Sequence, residues 1–193
     1  MVVKKICMMG AFAVGKTSLV RRFVHSIFSD IYQTTIGVMI SKKRLVVGEV
    51  EYELIIWDLE GRDEFTDFRS SYLRGAAGIL YVVDVTRPQT LAVVRQLRDE
   101  LAKNVGVLPA IVLLNKSDLT EQWRLDPGTL EQLEADGCTV LRTSAKTGAN
   151  VDAAFLARVR TAGIERASGR RVERVRHLAR DRDPRLPRHL DIR

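Results

Sequence analysis

The sequence has little cysteine and lacks both a long apolar run and a histidine- or cysteine-based metal-binding pattern. Cys7 and Cys138 are its two cysteines, and we expect both to be buried free thiols in a reducing compartment. No apolar stretch approaches the roughly 20 residues of a membrane-spanning helix, and the short one before Gly10 is not a signal peptide. The three histidines have no partners at metal-ligand spacing, which argues against a zinc site.

Net charge is also missing from most of the chain. Residues 158–193 carry twelve arginines and five acids, which leaves nineteen basic and nineteen acidic residues in 1–157. The overall excess of +7 is therefore poor evidence for nucleic-acid binding, and we expect no specific nucleic-acid partner. We predict one domain over 1–168 and an Arg-rich tail over 169–193, flexible or partly helical.

Two interpretations of the tail stay open. It is either a solvated extension or a weak electrostatic docking segment for an acidic lipid or protein surface. The sequence shows no C-terminal cysteine, so we expect no prenyl anchor. We predict a cytoplasmic location, with peripheral contact at the inner membrane surface if the tail meets lipid.

Strand-like and helix-like segments alternate along the chain, which predicts an α/β fold with a mostly parallel sheet and one antiparallel edge hairpin. The hairpin is predicted at 38–47 and 50–57, where three consecutive basic residues suit a solvated edge strand. Further strands are predicted at 6–9, 78–84, 110–114 and 139–142. Helical spacing of apolar residues follows the first strand and recurs near 91–101, 130–133 and 151–162.

The stretch Gly10-Ala11-Phe12-Ala13-Val14-Gly15-Lys16-Thr17-Ser18 is typical of a phosphate-binding P-loop between a strand and a helix. The glycines allow backbone N–H groups to turn inward, and the helix that opens at Lys16 adds the positive end of its dipole. Lys16 supplies a charge for the outer phosphates, and the Thr17 hydroxyl supplies a hard oxygen for Mg²⁺. The candidate contact residues are Gly10, Ala13, Val14, Gly15, Lys16, Thr17 and Ser18.

Three further motifs follow predicted strands, at the sheet edge where α/β proteins bind ligands. In Asp58-x-x-Gly61, the carboxylate can hold Mg²⁺ and the glycine N–H can reach a γ-phosphate. In Asn115-Lys116-x-Asp118, a carboxylate can accept both N–H donors of guanine, a pair that adenine lacks. Ser144-Ala145-Lys146 offers a backbone N–H for guanine O6. In this order, the motifs predict a guanine-nucleotide site that also binds Mg²⁺.

With these motifs the chain resembles the Ras-like small GTPases, nearest their Rab branch, over about Lys4 to Arg166. The resemblance implies a P-loop G domain with a six-stranded mixed sheet and helices on both faces, and a GTP/GDP switch. It implies that loops at 30–40 and 60–75 contact effector and regulator proteins. It makes Thr35 the second Mg²⁺ ligand and γ-phosphate sensor, with Thr34 as the alternative. Phe28 would pack on the guanine, although a core role fits equally well.

The hydrolytic residues depart from the family at three positions. Arg62 stands where a water-orienting glutamine is usual, Glu60 brings a carboxylate near the γ-phosphate, and Phe12 crowds the path of an inserted arginine finger. The first interpretation is slow GTP hydrolysis without ordinary activation. The second is rerouted chemistry in which Arg62 acts as a finger and Glu60 positions water. The candidate catalytic residues are Lys16, Thr35, Glu60, Gly61 and Arg62.

Two other functions remain as alternatives. A non-switching nucleotide-binding module, or pseudo-GTPase, is kept open by the substitutions at Glu60 and Arg62. A P-loop kinase or ATPase is disfavoured by the guanine-type motif that ends at Asp118.

Overall fold

Strand β1 (Val2–Gly10) lies inside a sheet whose strand order is β2-β3-β1-β4-β5-β6. The computed structural model describes residues 1–29, 34–61 and 70–157, and the fold is given for these residues. The other strands are β2 (Val38–Val47), β3 (Val50–Leu59), β4 (Ala76–Asp84), β5 (Ala110–Asn115) and β6 (Thr139–Arg142). Only β2 pairs antiparallel, along β3. The predicted fold class, a mixed and mostly parallel six-stranded sheet, is confirmed.

Helices lie between these strands in the described part of the chain. They are α1 (Lys16–His25), α2 (Gln89–Asn104) and α3 (Thr129–Ala135), with 3₁₀ turns at Ser70–Leu73 and Thr120–Gln122. Residues 151–157 are also helical. None of the helices described is long and apolar enough to cross a membrane.

The alternation of side chains along β1 divides the core into two layers. Ile6 and Met8 pack with α1 and with Phe155 on one face of the sheet. Cys7 and Met9 pack with the apolar side of α2 on the other face. All four of these side chains are at most 3% exposed, so β1 is covered on both faces from Ile6 onward, as a central parallel strand should be.

Several element predictions were too short, and one burial prediction was wrong. β3 continues through Asp58 to Leu59 because its ladder with β2 extends to the pair Val38 and Leu59. Cys7 is buried as expected, but Cys138 is only half-buried, because it lies outside the central strands, just before β6. The predicted tail and the end of the last predicted helix fall at 158–193, outside the described residues.

Candidate nucleotide-binding site

A cavity of about 330 Å³ lies at the edge of the sheet where the parallel strands end. Most of the predicted binding residues line it: Ala13, Gly15, Lys16, Thr17, Ser18, Phe28, Thr35, Gly61, Asn115, Lys116, Asp118, Ala145 and Lys146. Four others do not line it but are bonded to residues that do: Gly10, Val14, Asp58 and Ser144. The fold thus gathers four motifs that are far apart in sequence around one cavity.

The carbonyl groups of the P-loop accept hydrogen bonds from the protein itself. Lys16 Nζ donates to the carbonyls of Gly10 and Ala11 at 3.1 and 2.9 Å, and Asn115 Nδ2 donates to that of Val14 at 2.8 Å. In a trans peptide the N–H points away from the carbonyl. Carbonyls held by protein donors therefore fix the orientation of the peptide N–H groups that adjoin them.

Gly15 is required by both its conformation and its surroundings. Its φ of 94° lies in the left-handed region, where a side chain is strained. A Cβ at this position would lie 2.5 Å from Asn115 Nδ2. The close approach of the P-loop to the base-reading motif therefore depends on the absence of a side chain at Gly15, which also precedes the first turn of α1.

Three oxygen-bearing side chains meet beside the P-loop. The Thr17 hydroxyl donates to Asp58 Oδ2 at 2.5 Å and lies 2.6 Å from the Thr35 hydroxyl. Asp58 is fully buried, and its Oδ1 is the buried side-chain polar atom without a hydrogen-bond partner in the described residues. Burial raises the pKa of Asp58, against the Thr17 hydrogen bond and the Lys16 charge, which lower it.

This cluster fits Mg²⁺. Hydroxyl and carboxylate oxygens are the donors that this ion prefers, and the orphaned Oδ1 is a buried acceptor that a cation would satisfy. The structure brings Thr35, and not the exposed Thr34, to the cluster. The ligand roles of these residues remain predictions.

The base-reading motifs meet at the other end of the cavity. Asp118 Oδ1 accepts a hydrogen bond from Ser144 Oγ at 2.5 Å. Asn115 is 1% exposed, and its Oδ1 accepts bonds from the Ala145 N–H at 3.3 Å and from the Thr143 hydroxyl at 3.4 Å. Asn115 therefore joins the P-loop to the loop after β6, a role that the sequence analysis did not assign.

Arg22 and Phe28 lie beside the same end of the site. The Nε of Arg22 donates to the Ala145 carbonyl at 2.8 Å, and a second guanidinium nitrogen contacts the Lys146 carbonyl. Its charge lies 6.0 Å from the Phe28 ring centroid. Phe28 both lines the cavity and packs against the core, so both of its predicted roles remain compatible with its position.

A buried carboxylate that the sequence analysis missed lies between the two ends. Asp84 is fully buried at the end of β4, and its Oδ2 pairs with Lys116 Nζ at 2.6 Å and with Arg87 Nε at 3.0 Å. Burial alone would raise the pKa of Asp84, but hydrogen bonds from Lys116 and Thr86 hold it below its ordinary value. An acid at the carboxyl end of a predicted buried strand was the available signal.

Two of the three departures from the family lie in the described residues. Phe12 lines the cavity, and a Cβ on Gly61 would be 2.5 Å from Phe12 Cα. The exposed Glu60 does not line the cavity; its Oε2 accepts the Gly37 N–H at 2.8 Å, and its own N–H donates to the Gly37 carbonyl at 2.9 Å. Arg62 lies outside the described residues, together with 30–33 and the rest of 62–69 in the loops predicted at 30–40 and 60–75.

Comparisons with known proteins agree with this geometry. A family model described as the Ras family matches residues 5–163. The chain is 36% identical to the Ras-related protein Rab-25 of Bos taurus over 153 residues, which is 78% of this chain and 72% of that protein. It is 37% identical to the Ras-related protein Rab-36 of Homo sapiens over 180 residues, which is 88% of this chain and 65% of that protein.

Proposed function

The chain belongs to the Ras family of small GTPases, on its Rab side, and from this premise we propose that it is a GTP/GDP switch that hydrolyses GTP slowly. The observation that carries the proposal is one cavity lined by Lys16 and Thr17 at one end and by Asn115 and Asp118 at the other, with Asp58 bonded to Thr17. A nucleoside triphosphate has matching ends: a polyanion that needs cations and N–H donors, and a base with N–H donors of its own.

Each group in the cavity has a specific part in binding and hydrolysis. The buried Lys16 ammonium neutralises the outer phosphates, and the N-terminus of α1 adds favourable dipole charge. Thr17, Thr35 and Asp58 would hold Mg²⁺, which supplies Lewis-acid stabilisation of phosphoryl charge when it is bound. We assign Thr35 as the γ-phosphate sensor, as the family resemblance implies, and the position of its hydroxyl beside Thr17 and Asp58 supports this role. The Gly61 N–H serves the same phosphate.

Base selection rests on Asp118. Its carboxylate accepts the two N–H donors of guanine, and the Ser144 hydroxyl bonded to it at 2.5 Å fixes its orientation. Calorimetric titration of the purified protein with GTP, GDP and ATP in Mg²⁺ tests this step. We expect binding of both guanine nucleotides and none of ATP. Binding of ATP as tight as that of GTP would refute the assignment.

Slow hydrolysis follows from two side chains. An arginine at position 62 has donors but no acceptor, so it cannot take a hydrogen bond from the attacking water as an amide oxygen can. Phe12 lines the cavity, and we expect its side chain to crowd the path of an inserted arginine finger, which contributes about 10³–10⁵ in rate to Ras-type hydrolysis. Both intrinsic and assisted hydrolysis are therefore weakened.

The test is single-turnover GTP hydrolysis by the wild type and by Arg62→Gln. We expect the variant to be about tenfold faster, which corresponds to one hydrogen bond of about 1.4 kcal/mol gained in the transition state. Arg74→Gln is the matched control, since it removes an exposed arginine just beyond the 3₁₀ turn at Ser70–Leu73. A much slower Arg62→Gln would instead mean that Arg62 acts as a finger in cis.

The bonds of Glu60 favour a second candidate function, a nucleotide-binding module that does not switch. Glu60 is joined to Gly37 by two hydrogen bonds that involve no nucleotide atom, so these two segments have a link that is independent of the γ-phosphate. Hydrogen exchange of 34–61 in the GDP and GTP-analogue complexes separates the two functions. A switch predicts greater protection with the analogue; equal protection favours the module.

We further propose that effectors and regulators dock on the loops at 30–40 and 60–75, as the Rab resemblance implies. We place the protein in the cytoplasm, with weak contact between the Arg-rich tail and anionic surfaces. Sedimentation with vesicles containing phosphatidylserine tests the tail. Salt-sensitive binding that is lost on removal of 169–193 supports this contact.

A further inference from the structure

We propose that Arg87 is a positioning residue for nucleotide retention. In this proposal its guanidinium anchors the Phe12 carbonyl of the P-loop to Asp84, which also holds Lys116 of the base-reading motif. The inference rests on the proposed guanine-nucleotide function and adds a residue that none of the motifs contains.

The guanidinium of Arg87 uses two nitrogens on two different acceptors. Its Nε donates to Asp84 Oδ2 at 3.0 Å, and its Nη2 donates to the Phe12 carbonyl at 2.7 Å. Because the guanidinium is planar and rigid, the first bond fixes the direction of the second. Lysine, with a single nitrogen, cannot reproduce this geometry at both acceptors.

Asp84 is a fixed anchor for this arrangement. Both of its oxygens are occupied, because Oδ1 accepts bonds from the N–H and the hydroxyl of Thr86 at 3.0 and 2.7 Å. Oδ2 accepts one hydrogen bond from Arg87 Nε and another from Lys116 Nζ, which lies 2.6 Å away. A buried carboxylate with four hydrogen bonds has little freedom to reorient. It therefore holds the Arg87 guanidinium and the Lys116 ammonium in fixed positions.

The sheet register explains why Asp84 can connect the two motifs. β4 lies between β1 and β5. Its Val82 is paired with Gly10 at the start of the P-loop, and Asp84 itself is paired with Asn115 at the end of β5. Asp84 is therefore level with the start of the base-reading motif and lies two residues beyond the β4 residue that pairs with the start of the phosphate-binding motif.

The carbonyl that Arg87 holds belongs to the peptide group that precedes a residue in the left-handed conformation. The Phe12 carbonyl and the Ala13 N–H share one planar peptide group and point in opposite directions. Ala13 has a φ of 60°, a left-handed conformation that costs a residue with a Cβ about 1–2 kcal/mol. By fixing the Phe12 carbonyl, Arg87 keeps this peptide, and with it the Ala13 N–H, in one orientation.

The proposal predicts faster nucleotide release when Arg87 is changed. Dissociation of a fluorescent GDP analogue in Mg²⁺ is measured for the wild type, Arg87→Gln and Arg87→Lys. We expect about tenfold faster release in both variants, equivalent to about 1.4 kcal/mol. Arg95→Gln is the control, since Arg95 is an exposed arginine on α2, and it should release GDP at the wild-type rate.

Hydrogen exchange distinguishes positioning from general destabilisation. In the GDP complexes of the Arg87 variants, amides of 10–17 should exchange faster while those of 94–101 in α2 keep their wild-type protection. Wild-type release rates in both variants, a wild-type rate in Arg87→Lys alone, or uniformly faster exchange would each overturn the role of Arg87. A wild-type protein that binds no GDP would instead overturn the proposed function.

Discussion

Replacing Asn115 by alanine tests whether this buried amide joins the loops of the site. The side chain is 1% exposed and makes one bond of 2.8 Å and two longer ones of 3.3 and 3.4 Å. A buried carbonyl left without its donor costs about 1–3 kcal/mol, and the two weaker bonds add about 0.5 kcal/mol each. We therefore expect Asn115→Ala to lose about 3 kcal/mol of unfolding free energy.

The assay is urea unfolding followed by circular dichroism, without added nucleotide and again with GDP in excess. The first condition isolates the protein's own bonds, because a ligand adds stability by mass action. In thermal unfolding the same loss corresponds to about 6–12 °C, at about 2–4 °C per kcal/mol for a chain of this size. Gln96→Ala, an exposed amide on α2, is the control and should stay within about 0.5 kcal/mol of the wild type.

Asn115→Asp sharpens the test because it keeps the acceptor and replaces the donor with a charged oxygen. Its second oxygen would face the Val14 carbonyl, so it should destabilise the protein at least as much as Asn115→Ala. A loss below about 1 kcal/mol in Asn115→Ala, or an aspartate variant milder than the alanine variant, would refute the reasoning.

Two further predictions follow from the site. Gly61→Ala places a Cβ 2.5 Å from Phe12 Cα and 2.7 Å from the Ala11 carbonyl oxygen. We expect calorimetry to show that the affinity for a non-hydrolysable GTP analogue falls about tenfold relative to the affinity for GDP, a difference of about 1.4 kcal/mol. Gly128→Ala, where a Cβ meets nothing closer than 4.0 Å, should leave that ratio unchanged, and an unchanged ratio in Gly61→Ala would contradict the crowding. The pKa of Asp84 is lowered in the folded protein, so the ionised carboxylate stabilises the fold at pH values above about 3.9, the pKa of an aspartate in the unfolded chain. This stabilisation is lost as the pH falls through the pKa that Asp84 has in the folded protein. In urea unfolding, the deficit of Asp84→Asn against the wild type should therefore be largest near neutral pH and shrink below about pH 4, and a deficit that is constant with pH would contradict the ion pairs.

The architecture could be predicted from local sequence patterns. Strands are identified by alternating apolar and polar residues in 50–57 and by apolar runs at 78–84 and 110–114. A strand buried on one face alternates in polarity, and a strand buried on both faces is apolar throughout. The motifs at strand ends then locate the cavity, since parallel strands end at one edge. Strand lengths were less accurate because pairing with a neighbour, as between Val38 and Leu59, has no local signature.

The side-chain network of the site could not be predicted in the same way. Arg87 reaches Phe12 across 75 positions of sequence, and only the order of the strands brings the two together. The position of Glu60 within its sequence motif predicts a carboxylate near the γ-phosphate. In the folded protein its carboxylate instead meets the backbone of Gly37, 23 positions away, because β2 and β3 bring these segments side by side.

The reciprocal bonds between Glu60 and Gly37 have a consequence for local unfolding. One bond uses the Glu60 carboxylate and the other uses the Glu60 backbone, so separating the two segments breaks both at once. Segments that lose their bonds together exchange their amides as one cooperative unit. A perturbation of either segment should therefore be transmitted to the other, even though more than twenty residues separate them along the chain.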